Sequence, residues 1–313
     1  MLDLRLIREN TEQVRKAVAN RRATASLDEI LELDTERRRK LSELEDLRRT
    51  RKEVTRAKKT DKETTEEGRD LRNTIRNLED EERILNERLQ DRLLRVPNIP
   101  DPSVPVGVGE EDNVVVRSWG NPGKFDFTPA PHWEVAENLG IIDFDRGVKI
   151  SGSRFYLLKG LGARLQRAII ALMLDIHTSR HGFEEVYPPY MVKRESMVGS
   201  SNLPKFTDNL YHDEEDDLWF VPTAEVPLTN LHRDEIMAAS DLPVYYVAYT
   251  ACFRREKMSA GKDTRGIKRG HQFDKVEMYK FTEPETSDQE LEKMVTSAEA
   301  VCQALELPYR ISR

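Results

Sequence analysis

The residues best suited to chemistry lie close together: Cys252-Phe253-Arg254-Arg255-Glu256, then Gly261-Lys262-Asp263-Thr264-Arg265-Gly266, then Arg269-Gly270-His271-Gln272-Phe273-Asp274-Lys275-Val276-Glu277. A reaction at a triphosphate needs fixed positive charge where negative charge develops, and arginine offers a rigid fork for phosphate oxygens. Arg254 and Arg269 are the candidates for that task. An adenine needs a flat apolar partner, which Phe273 can supply, and an α-ammonium needs a carboxylate, which Glu277 can supply. The alternative is plainer. Exposed hairpins are often laced with surface ion pairs that each stabilise little, and a lone Phe273 would be an ordinary core aromatic.

Two charged, alternating segments around a glycine-bearing loop predict a strand, loop and strand hairpin with its functional groups on one face. Around it, short β-rich pieces such as Val114-Val115-Val116, Phe155-Tyr156-Leu157-Leu158 and Leu218-Trp219-Phe220-Val221 alternate with helical stretches at Arg164 to His177 and Ser287 to Leu305. This reads as an α+β domain with a mainly antiparallel β-sheet. No segment fits G-x-G-x-x-G or G-x-x-x-x-G-K-[ST], so a nucleotide here must be held by side chains.

Ahead of that domain, residues 27–95 contain no proline and one glycine, Gly68. Two long helices and one turn require such a composition. Leu71, Ile75, Leu78, Leu85 and Leu89 step by four, three, seven and four, a heptad seam, and Leu27, Ile30, Leu41, Leu44 and Val54 repeat it less cleanly. Thr60-Asp61-Lys62-Glu63 offers the polar reversal of an antiparallel helical coiled coil. At 1.5 Å per residue each helix of about 30 residues would reach roughly 45 Å, so the arm is expected to project from the body. Val96-Pro97-Asn98-Ile99-Pro100-Asp101-Pro102 stops the second helix, and the domain boundary is placed there: residues 1–100 as the arm, 101–313 as the catalytic domain.

Charged residues make up 34% of the chain and hydrophobic ones 38%, with a net charge of -7. The balance excludes a uniformly basic nucleic-acid binder but not a local basic face. Between Arg37 and Lys62 there are twelve Lys/Arg against five Asp/Glu. Arg37, Arg38, Arg48, Arg49, Arg51, Lys52 and Arg56 form a stripe able to neutralise phosphates without reading bases, although a solvated coiled-coil flank would look similar. The start, MLDLRLIREN, lacks a secretory pattern, and the most apolar run, Ala168 to Ile176, is too short to span a bilayer. A cytoplasmic protein with no membrane association is expected, with that run as a core helix segment. Cys252 and Cys302 suit packed, reduced thiols, and no metal site is expected from them.

The Phe-Arg-x-Glu, Gly-x-Asp-Thr-Arg-Gly and His-Gln-Phe-x-Lys-x-Glu elements resemble motif 2 of class II aminoacyl-tRNA synthetases in its seryl-specific form. The resemblance implies that Arg254 holds the ATP α-phosphate and the amino acid carboxylate, that Glu256 contacts the adenine amino group, that Arg269 meets the γ-phosphate and that Phe273 stacks on adenine, with Arg255 also at the ATP site. Gly182-Phe183-Glu184-Glu185-Val186-Tyr187-Pro188-Pro189 is similar to motif 1, which implies a homodimer formed around Pro189. Thr223-Ala224-Glu225 resembles the family's serine-binding loop, where Glu277 would join Thr223 and Glu225 around the serine. Ser151-Gly152-Ser153-Arg154-Phe155-Tyr156 and Leu203-Pro204-Lys205-Phe206 extend the likeness, as does the arm, which in this family grips the long variable arm of tRNA(Ser).

The family's third motif lies about sixty residues beyond Glu277 and has no counterpart before Arg313, so the chain is expected to be truncated ahead of it. The activity implied is ATP- and Mg²⁺-dependent formation of seryl-adenylate, with positioning and electrostatic stabilisation as the protein's part, then transfer of serine to tRNA(Ser), with tRNA(Sec) as a further candidate. The alternative is a non-catalytic, dimeric tRNA-binding homologue.

Overall fold

The computed structural model describes residues 1–57, 63–257 and 265–313, with the side chains of residues 56, 57 and 63–67 also outside the description. Its contacts divide the chain into two compact units, residues 1–114 with Arg313, and residues 115–312.

In the first unit two helices of 31 residues, Leu27–Ala57 and Glu63–Leu93, follow the proline-free stretch. Their seam is the expected one: Ile30, Leu44, Ile75, Leu78, Leu85 and Leu89 are buried, and Leu41, Val54 and Leu71 half-buried. The expected reversal at Thr60-Asp61-Lys62 lies outside the described residues. Leu93 ends the second helix four residues before Pro97, whose ring cannot continue the backbone ladder. Two short helices the heptad pattern did not announce, Leu4–Glu9 and Thr11–Asn20, bring Ile7, Val14 and Val18 into one core with Leu27, Ile30, Leu89, Leu93 and Val96. Truncating one of these leucines to alanine should cost about 2–5 kcal/mol through lost contacts and the cavity left behind.

The second unit is built around a long hairpin. Strands Val244–Phe253 and Gln272–Phe281 pair antiparallel, residue for residue, from Val244 opposite Phe281 to Phe253 opposite Gln272. Glu184–Glu185 adds a short parallel strand on the far side of the first. Met191–Lys193, Leu218–Phe220 and His212–Asp213 form a second, antiparallel sheet, and Val115–Trp119 pairs with Tyr309–Ser312. The α+β, mainly antiparallel expectation therefore holds. Helices appear at Leu161–Arg180 and Ser287–Ala304, close to the predicted bounds, whereas only Leu157–Leu158 of the predicted strand at Phe155 to Leu158 pairs.

Strand alternation gives the hairpin two faces. Tyr245, Tyr249, Asp274 and Lys280 point to the helices: Gln166 donates to Asp274, Tyr249 Oη donates to Asp274 at 2.9 Å, and Lys280 Nζ lies 2.8 Å from Glu290. Ala248, Thr250, Cys252, Phe273, Lys275 and Glu277 point the other way, where Ala224 and Leu228 pack on Ala248.

The run Ala168 to Ile176 is helical but is not the core segment expected of it. Only Ile176 is buried within it, and Leu161 and Leu165 earlier on the same helix are 70% and 56% exposed. Seven apolar residues in a row, Ala168 to Leu174, give a helix apolar faces in more directions than one neighbouring sheet can cover.

Candidate active site

The site forms where the hairpin's first strand ends. Phe253 N–H donates to Val221 O and Val221 N–H to Tyr190 O, both at 2.9 Å, which ties the strand end to the loop Pro222-Thr223-Ala224-Glu225. Arg254 leaves the strand with its Nε donating to Pro222 O at 3.2 Å and its guanidinium 5.1 Å from the centre of the Phe273 ring. An arginine over an aromatic face is held electrostatically and leaves its outer N–H groups for other acceptors.

Across from it, Thr223 Oγ1 donates to Glu277 Oε2 at 2.6 Å and accepts from Glu225 N–H at 3.3 Å. Thr223 is buried, 6% exposed, so its hydroxyl is committed to these partners. Lys275 Nζ lies 2.5 Å from the same Glu277 oxygen. The Glu225 carboxyl is pushed above its ordinary range by loss of solvation and by the Glu277 charge, with Lys275 opposing. Cys252, fully buried opposite Phe273, has its thiol pushed up by burial and its Sγ 3.3 Å from Thr250 Oγ1, so it lines the floor as a neutral, unreactive group.

The described residues on either side of the turn are held through the backbone. Glu256 sits at φ +50°, a left-handed conformation costly for a residue with a Cβ, and Arg154 Nη1 donates to its carbonyl at 3.2 Å. Arg154 O in turn accepts from His271 N–H at 3.1 Å, and His271 Nδ1 lies 2.9 Å from Arg254 O. A carbonyl only accepts, so that nitrogen carries the proton. Arg269 Nη1 is 3.7 Å from Glu256 Oε2, placing the expected adenine and γ-phosphate residues side by side. Gly266, at φ +81°, leaves no room for a Cβ, which would fall 2.0 Å from His132 Nε2, and Ile267 N–H donates to that same nitrogen at 3.0 Å.

The structure thus gathers Arg254, Phe273, Thr223, Ala224, Glu225 and Glu277 on one face, with Glu256 and Arg269 at the turn. Arg255 is not held with them: its Nε donates to Leu210 O at 2.8 Å and its guanidinium lies 4.5 Å from the Tyr211 ring centre. Residues 261–264 of the motif lie outside the described residues. Phe273 also borders a cavity of about 380 Å³ with Phe155, Tyr156, Gln166 and Asp274, and Glu277 is not among its lining residues. Sequence reasoning gave no role to Arg154 or Lys275. Strand alternation alone would have put Lys275 beside Phe273 and Glu277, whereas the reach of Arg154 across 102 positions had no signal.

On the arm, Arg37 pairs with Glu82 at 2.7 Å, Arg38 with Asp34 at 3.0 Å, Arg48 with Glu79 at 2.6 Å and Arg49 with Asp46, while Arg51 and Lys52 are exposed. The Arg56 side chain is outside the described residues. Near motif 1, Tyr187 is 80% exposed, Pro188 buried and Pro189 exposed. Among the described residues no group of three or more His, Cys, Asp or Glu could hold a metal ion, and no helix is long and apolar enough to cross a membrane.

Two family models match separate stretches of the chain. Residues 1–100 match the family described as seryl-tRNA synthetase N-terminal domain, and residues 205–313 the tRNA synthetase class II core domain (G, H, P, S and T). A serine–tRNA ligase of Dehalococcoides mccartyi (strain CBDB1) is 64% identical over 313 residues, covering 100% of this chain and 75% of the relative, and one of Thermomicrobium roseum is 57% identical over 317 residues, covering 99% and 71%. The crystal structure of seryl-tRNA synthetase from Pyrococcus horikoshii complexed with ATP superposes with a TM-score of 0.88 at 39% identity, covering 100% of this chain and 76% of that one. The cytoplasmic serine–tRNA ligase from Naegleria fowleri in complex with AMP gives 0.84 at 29%, covering 100% and 74%. With an N-terminal domain of the seryl type, a class II core and a serine–tRNA ligase 64% identical over the whole chain, this chain belongs to the serine–tRNA ligases, class II aminoacyl-tRNA synthetases.

Proposed function

We propose that the site activates L-serine with ATP to seryl-adenylate and passes the seryl group to tRNA(Ser). The observation that carries this reading is the Thr223–Glu277 pair set on the same strand face as the Arg254–Phe273 stack, an ammonium-binding end beside a nucleotide-binding end.

Serine's α-ammonium lies against Glu277, Glu225 and Thr223, and its carboxylate faces Arg254. That carboxylate attacks the α-phosphorus of ATP, and pyrophosphate leaves. Arg254 balances charge developing at the α-phosphate, Arg269 meets the γ-phosphate, Phe273 supports the adenine and Glu256 accepts from its amino group. No protein nucleophile is required, because holding two reactants in line and neutralising charge account for the acceleration. The terminal ribose hydroxyl of the tRNA then takes the seryl group from the adenylate. Magnesium would offset triphosphate charge in such a reaction, although among the described residues no group of three or more His, Cys, Asp or Glu is gathered to hold it.

The arm, taken as residues 1–100 with the catalytic domain at 101–313, is assigned to tRNA binding. Arg51 and Lys52 are its readiest phosphate contacts, since Arg37, Arg38, Arg48 and Arg49 would first have to give up their carboxylates. The exposed Leu161 and Leu165, which with Leu139, Ile141 and Ala168 line an apolar hollow of about 450 Å³, favour a homodimer through the motif 1 region around Pro189. Serine-dependent exchange of pyrophosphate into ATP tests the reading. Exchange that requires serine supports it, and tRNA binding without any exchange would favour the non-catalytic homologue instead.

A further inference from the structure

Lys275 lies between Phe273 and Glu277 on one strand face, and the reaction as described gives it nothing to do. Its ammonium and the Thr223 hydroxyl both engage Glu277 Oε2, at 2.5 and 2.6 Å. Two donors on one oxygen leave Oε1 with its lone pairs for a third partner. A second carboxylate, Glu225, lies two residues after Thr223 in the chain, and its N–H donates to the same hydroxyl. Neither member of the Lys275–Glu277 pair is a loose surface group, their side chains being 33% and 23% exposed.

The charges can be counted. Glu225 and Glu277 bring two negative charges and Lys275 one positive, which leaves one negative charge for one substrate ammonium. Without the lysine two neighbouring carboxylates would repel, and the Glu225 carboxyl, already pushed up by burial and by the Glu277 charge, would lose the cation that opposes this. A lysine that served only as an exposed ion pair would contribute little.

We propose that Lys275 is a positioning residue for serine: by holding Glu277 Oε2 it turns Oε1 toward the α-ammonium and sets the pocket's charge to match a single cation. The inference rests on the serine reading of this pocket. It gives the lysine a role in amino acid binding and none in holding ATP.

The test uses the full chain with K275M and K275R. Serine and ATP binding are measured separately by calorimetry, and the pH dependence of serine binding is recorded for each protein. In K275M the serine Kd should rise about tenfold or more while the ATP Kd stays within about threefold, since a charge-assisted contact is lost at one end of the site only. K275R should recover most of the serine affinity, because a guanidinium can hold the same oxygen. The acid limb of serine binding should move to higher pH in K275M, an effect that a merely structural lysine would not produce. Normal ATP binding also shows that K275M is folded. An unchanged serine Kd in K275M, or a larger loss for ATP than for serine, overturns the inference while leaving the serine pocket standing. Failure of the unaltered chain to bind serine at all overturns the pocket and the inference together.

Discussion

In the helical arm and in the hairpin site alike, arginines stand within reach of carboxylates, yet the two regions balance those charges differently. On the arm four of the predicted phosphate-binding arginines are paired with a carboxylate, on the same helix or across the seam, and two of these pairs, Arg48–Glu79 and Arg49–Asp46, are open to water. In the site two donors crowd a single oxygen of Glu277, a second carboxylate stands beside it, and Arg254 rests on a ring instead of an acid. Neutralised pairs suit a surface that must stay soluble. Unequal charge suits a place where a charged substrate completes the count. Residue type cannot separate these cases, but the charge left over once the pairs are counted can.

If that contrast is right, single substitutions in the site should be severe and those on the arm mild. The largest effect is expected from Arg254→Ala, which should lower serine-dependent pyrophosphate exchange by about 1,000-fold, as when a group stabilising transition-state charge is lost. Near-normal exchange would remove its assigned role. Deleting residues 27–95 should weaken tRNA binding by about 100-fold or more, through the loss of many phosphate contacts, with far less change in adenylate formation. Equal loss of both would erase the division of labour between arm and hairpin. Changing Arg51 and Lys52 together to alanine should raise the tRNA Kd about three- to tenfold and reduce the slope of log Kd against log salt by about two, one per phosphate contact. An unchanged slope would put the phosphates elsewhere.

Smaller still is Arg48→Ala, which breaks the exposed pair with Glu79 and should change stability by less than about 1 kcal/mol by denaturant titration. Glu290 supplies the contrasting buried case within the second unit. Hydrogen bonds from Lys280, Lys293 and Tyr245 hold its carboxyl down at about 2. A carboxyl depressed on folding contributes stability that is present above its unfolded pKa and is lost as pH falls through the folded value. Glu290→Gln should therefore lower stability at neutral pH and flatten its decline between about pH 4.5 and 2, and an unaltered pH dependence would show that the pair carries no linkage.

Much of this was legible in the residues. The heptad steps from Leu71 to Leu89 placed both long helices, because a 3.5-residue period has no other economical burial. The hairpin followed from alternation on either side of a glycine-bearing loop. The two short N-terminal helices were not visible, since Ile7, Val14 and Val18 are too sparse to show a period by themselves and become a core only against Leu89 and Leu93. Nor was the hold of Arg154 on the Glu256 carbonyl, a contact between a side chain and a distant backbone that leaves no pattern in sequence. The exposed face of Leu161–Arg180 misled for the opposite reason: an apolar run announces burial without saying what does the burying.

The central claim is that Phe273 and Glu277 serve two ends of one cleft. A non-hydrolysable seryl-adenylate analogue, which carries both ends in one molecule, tests this most directly by calorimetry on the unaltered chain, F273A, E277Q and the double variant. The account predicts that the unaltered chain binds the analogue more tightly than it binds serine or ATP, that F273A and E277Q each weaken it by about tenfold or more, and that the double variant loses more than either. Analogue binding that is indifferent to one of the two substitutions would contradict the account, for then the two side chains would not share a site.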